Sequence, residues 1–177
     1  MWVVASYFEE LEAILDGARA AHAETLERVP AGLRASLPVD ATGVTQAIEI
    51  LATAVGIDAE VLAERDRLNR ANPAVLHGRV FGRAPSANAA TTVSGASGAR
   101  VRAILLERVA VEIDGDALRD EVRALLADHP PPESDGPRDA DPSPGGRAAR
   151  VAALRAAYDA QERAVLLCAG RLDARGA

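Results

Sequence analysis

The chain has a single cysteine, five aromatic residues (one Trp, two Tyr, two Phe) and no lysine; its twenty basic residues are all Arg. One cysteine, Cys168, excludes an internal disulfide and a multi-cysteine zinc site. It occupies an apolar position of a helical pattern, where a free thiol behaves as a small hydrophobe. So few aromatics leave little with which to stack nucleic-acid bases. No apolar run reaches the roughly 18 residues of a membrane span. The N-terminus opens Met1-Trp2-Val3-Val4 and meets Glu9-Glu10 at once, without the basic and apolar regions of a secretory leader. The expectation is therefore a cytoplasmic product, or one exported without a cleavable signal peptide. Arg in place of Lys, in a chain rich in Ala, fits the coding bias of a GC-rich genome.

Chemistry-bearing constellations are equally scarce. His22, His77 and His129 lie far apart, none at a metal-ligand spacing. There is no G-x-S-x-G elbow, and Ser94-Gly95-Ala96-Ser97-Gly98 lacks the lysine of a phosphate loop. No catalytic residue, cofactor or metal is expected, and an enzyme is not expected.

Apolar periodicity is plentiful. Val4, Phe8, Leu11, Leu15, Ala18, His22 and Val29 form a stripe spaced by threes and fours, predicting a helix from about Val3 to Val29, closed by Pro30 and Gly32. Asp40 and Asp58 read as caps, each between apolar residues at staple spacing: Val39 with Val44, and Ile57 with Leu62. Gly56 separates the two helices so defined, and Asn72-Pro73 ends the second. Ser86 to Gly98 is small and polar and reads as a flexible loop.

From Arg100 to Ile113 the pattern is double. Val101, Leu105 and Val109 suit a helix, whereas Val109, Val111 and Ile113 alternate as in a strand. The reading adopted is helix to about Ala110, then a further helix from Gly115 to Asp128 with Leu118, Val122, Leu125 and Leu126 inward. His129-Pro130-Pro131-Pro132 halts it, and the stretch to Gly146 has linker composition. Last comes an amphipathic helix from about Arg147 to Asp173 with a heptad of Val151, Leu154, Tyr158, Gln161, Val165, Cys168 and Leu172. The fold class expected is all-α, an antiparallel bundle of about five helices with two flexible loops. Its parts are a bundle over 1–129, a linker over 130–146, and a closing helix over 147–177 that docks on the bundle.

Charge is uneven. Residues 1–60 carry ten acids and three Arg, residues 61–110 three acids and eight Arg, and residues 111–177 thirteen acids and nine Arg. The basic middle makes Arg65, Arg67, Arg70, Arg79, Arg83, Arg100 and Arg102 candidates for a phosphate-binding patch. The alternative is that they pair with the chain's own acids. Within that stretch Gly78-Arg79-Val80-Phe81-Gly82-Arg83 sets an aromatic between two arginines, either an anion contact or a loop that packs Phe81 into the bundle.

The closing helix also contains Tyr158-Asp159-Ala160-Gln161-Glu162. This Y-x-x-x-E resembles the Y-x-x-x-D/E export signal of type VII (ESX) secretion substrates of actinobacteria, a family that includes the small WXG proteins. The family's W-x-G turn is not matched, since the single Trp is Trp2, followed by Val3 and Val4. The resemblance implies helical hairpins that pair into four-helix bundles, with Tyr158 and Glu162 as recognition residues one helical turn apart. Two readings of the pair stand side by side: a docking signal, or a seam residue with a surface acid behind it. The functional expectation is a helical protein-protein interaction protein working through helix faces, as a secretion-associated substrate or partner. The alternatives are an adaptor, antitoxin or immunity-type protein and, last, a nucleic-acid binder. Partners are a second protein or a second copy of the chain, joined through helices in a homo- or hetero-oligomer.

Overall fold

The computed structural model describes residues 7–31, 41–71, 95–132 and 144–176. These form five helical spans and no strand among the described residues: α1 (Tyr7–Glu27), α2 (Thr42–Ala54), α3 (Asp58–Ala71), α4 (Gly95–Ala127) and α5 (Pro144–Gly176). The all-α bundle is therefore as expected.

Several boundaries differ from the sequence pattern for identifiable reasons. The capping position of α2 is held by Ala41, whose carbonyl accepts from Thr45 N–H and whose side chain makes no capping bond; Asp40 lies outside the described residues. Likewise the carbonyl of Ile57 accepts from Val61 N–H, so Asp58 sits in the first turn rather than at the cap. An acid there still faces the positive end of the helix dipole. Gly56 turns the chain between α2 and α3 at φ +79°, a backbone region glycine enters freely. Ile57 is buried, but its staple partner Leu62 is 36% exposed and Val61 takes the core position instead.

Residues 100–113 are helical throughout. Val109 and Ile113 are both buried with Val111 between them half-exposed, and a spacing of four satisfies helix and strand patterns alike. That helix starts earlier than its composition suggests. Gly95 to Gly98 belong to α4, and Ala96, Gly98 and Ala99 are buried. Small residues there permit close approach of another helix, which composition alone reads as a loop.

α4 is a hairpin. Asp114 (φ −149°, ψ 24°) and Gly115 (φ 72°, ψ −159°) break it into α4a (95–113) and α4b (116–127). Arg123 Nη2 donates to Glu107 Oε2 at 2.7 Å across sixteen residues, a separation of about 24 Å along one straight helix. Arg100 Nη1 reaches the Pro132 carbonyl at 2.6 Å. The second half thus folds back along the first.

The closing helix begins at Pro144 and is the centre of the bundle, packed on α1, α2 and α4. Every heptad position from Val151 to Cys168 is buried and Leu172 half-buried, but so are Ala157, Ala160, Glu162, Ala164 and Ala169. Burial at three successive positions, 160 to 162, makes the covered face wide, leaving only a narrow exposed stripe through Ala152, Arg155, Asp159 and Arg163. Around it lie Leu11 and Leu15 of α1, Val44, Ile48 and Leu51 of α2, and Leu106, Val109, Leu118 and Val122 of α4, all fully buried. α1 meets α2 closely: a Cβ on Gly43 would lie 2.5 Å from Ala18 Cβ.

Candidate functional site

The Tyr158–Glu162 pair lies inside the bundle. Tyr158 is 7% and Glu162 3% exposed. α1 runs antiparallel to α5, with the backbone N–H groups of Tyr7 and Phe8 each donating to the Asp173 carboxylate at 3.2 Å. Further along, Arg19 Nη2 donates to Glu162 Oε2. Asp173 therefore satisfies first-turn donors that α1 cannot satisfy itself, and Arg19 supplies the counter-charge of a buried carboxylate. The hydrogen bond to Glu162, with a second to Asp16, holds the Arg19 guanidinium above its ordinary pKa against a smaller opposing effect of burial. Glu162 Oε1 and His22 Nε2 are buried and have no hydrogen-bond partner among the described residues. In this fold neither member of the pair presents surface to a receptor.

On the other side of α5 the neighbouring residue, Gln161, is bonded at both ends of its amide. Its Oε1 accepts from Arg102 Nε at 2.7 Å and its Nε2 donates to the Ala99 carbonyl at 2.7 Å. Arg102 is 3% exposed. Sequence reasoning missed this layer. The available signal was the one polar residue at a heptad position, Gln161, which needed a partner somewhere.

Of the seven basic-patch candidates, the structure describes the side chains of Arg67, Arg100 and Arg102. Arg102 is internal, and Arg100 is half-buried against Pro132 and Ser97. Arg67 is exposed and paired with Glu64, whose carboxyl that guanidinium holds below the usual range. Arg65 and Arg70 lie on α3, and their side chains, like Arg79, Phe81, Arg83 and His77, fall outside the described residues.

Cys168 is buried in the core, and burial pushes its thiol up to about 12, with Arg171 pulling slightly the other way. Such a thiol is not a nucleophile at neutral pH. Arg171 ties the turn of the α4 hairpin to its second arm, reaching Asp114 Oδ2 at 2.9 Å and Glu121 Oε1 at 3.1 Å. Beside it, Ala124 and Leu125 of α4b and Leu167 of α5 floor an open apolar groove with Glu121 and Asp128 at its rim. Among the described residues no group of three or more His, Cys, Asp or Glu could hold a metal ion, and no helix is long and apolar enough to cross a membrane.

No protein-family model, curated protein or solved structure matches the chain.

Proposed function

We propose that this protein works by helix-mediated protein-protein interaction, through the groove between α4b and α5. The observation that carries the reading is the groove's composition: an apolar floor of Ala124, Leu125 and Leu167 flanked by the carboxylates of Glu121 and Asp128. An occupant suited to it is an amphipathic helix with an apolar ridge and a flanking Arg or Lys. Asp128 then steers encounter more than it adds affinity, since Glu121 is already paired with Arg171.

A photocrosslinking residue at position 124, on the exposed face of α4b, tests this in cells that make the protein. One discrete adduct from position 124, and none from the exposed position 46 of α2, is the expected result. The same adducts from both positions, or none from either, would end the reading.

Export by a type VII apparatus is a second reading at a different face, supported by the Tyr158-to-Glu162 spacing alone. It requires that the face of α5 bearing them come free. Tyr158→Ala protein that folds and still appears outside the cell at the normal level would remove it.

A further inference from the structure

α1 is fastened to the bundle by contacts of unequal kind. Its first turn takes a cap from Asp173, and its middle turns bury Leu11 and Leu15. Beyond Leu15 the fastening is thin. Ala18 rests against Gly43, Arg19 pairs with Glu162, and Ala20, Ala21, Ala23 and Glu24 are exposed.

This thin stretch also encloses polar atoms that the closed seam does not satisfy, Glu162 Oε1 and His22 Nε2. The antiparallel register pairs Tyr7 and Phe8 with Asp173, and Arg19 with Glu162. One turn further on, His22 comes level with Tyr158. The two residues of the Y-x-x-x-E spacing therefore lie along the line that the second half of α1 follows. A polar atom buried without a partner favours any state in which water reaches it. Here that state is the open seam.

We propose that α1 is a displaceable cover: it separates from α5 as a unit while α2 to α5 stay folded, and its release exposes Tyr158 and Glu162 together. The Arg19–Glu162 ion pair is the latch. Arg19 is half-exposed and Glu162 is not, so removing Arg19 leaves a buried carboxylate without its counter-charge and weakens the closed seam. The device stands independently of the α4b–α5 groove, and the two are read by different experiments.

Native-state hydrogen exchange on the full chain tests it. In the natural protein the α1 amides from Leu11 to Glu27 should exchange at least about tenfold faster than those of Ala47–Leu51 and Leu105–Val109, as a separate low-stability unit does. Arg19→Ala should speed α1 about tenfold further and leave α4a unchanged. The double replacement Arg19→Leu with Glu162→Leu should slow α1 below the natural rate. Arg19→Lys, the mild variant, should fall between the natural protein and Arg19→Ala. In a Tyr7→Phe background, where Tyr158 is the only tyrosine, nitration of Tyr158 should rise in step with α1 exchange. A single common rate for α1, α2 and α4 in the natural protein would overturn the proposal. So would equal acceleration of all helices by Arg19→Ala and Arg19→Lys, or Tyr158 nitration that does not follow α1.

Discussion

Gln161 and Glu162 are adjacent in sequence, both within 3% of complete burial, and they meet opposite circumstances. Gln161 faces α4a, where both ends of its amide are bonded. Glu162 faces α1, where one carboxylate oxygen meets Arg19 and the other meets no described partner. A buried amide bonded at both ends fixes the register of two helices, because any slip leaves donors and acceptors unpaired. A half-satisfied polar group weakens the contact it sits in. The α4–α5 interface is therefore the rigid side of the bundle and the α1–α5 seam the yielding side.

The largest expected effect lies on the rigid side. Gln161→Ala removes the amide that bonds Arg102 Nε and the Ala99 carbonyl in a buried layer, and should cost about 3 kcal/mol in urea unfolding. Gln161→Leu combined with Arg102→Met, which replaces the polar layer by apolar contacts, should recover most of that loss. If Gln161→Ala is neutral, the contrast between the two sides fails.

Next comes Gly43→Ala, whose methyl would stand 2.5 Å from Ala18 Cβ. Overpacking of this kind should cost about 2 kcal/mol, and exchange should quicken in α1 more than in α4. Asp173→Ala removes the cap shared by Tyr7 and Phe8. About 1 kcal/mol is expected, seen as fraying of the first turn of α1 by exchange.

At neutral pH the smallest effect is that of the Cys168 thiol, which shows only in alkali. Its ordinary value is 9.0 and burial raises it to about 12, so the folded protein keeps a proton that the unfolded chain gives up. Stability is complete below about pH 9 and declines progressively toward pH 12. Cys168→Ala should flatten that decline in unfolding curves measured across the range.

Much of the fold was legible in the residues because it depends on local spacing. The breaks at Gly56 and Asp114-Gly115 stand where glycine and apolar periodicity placed them. The heptad from Val151 to Leu172 marks buried or half-buried positions. The start of α4 was not legible, because Ala96, Gly98 and Ala99 carry almost no hydrophobicity and are buried for their smallness. The candidate site was legible only as a spacing. Tyr158 and Glu162 one turn apart say that they share a helix face, and nothing in the spacing says what covers that face. Arg102 was assigned to a surface patch because charge is ordinarily exposed, and it proved to be a core partner of Gln161.

The sequence by itself determined where helices run, where they stop and which stripe each must bury, since these follow from backbone propensity and from periods of three and four residues. Only the tertiary structure decided that the last helix is the central one, that α4 folds back on itself, and that Gln161 and Glu162 have different neighbours. The reason is physical. A polar side chain's burial depends on whether a complementary group arrives from a distant part of the chain, 59 residues away for Arg102 and Gln161 and 143 for Arg19 and Glu162.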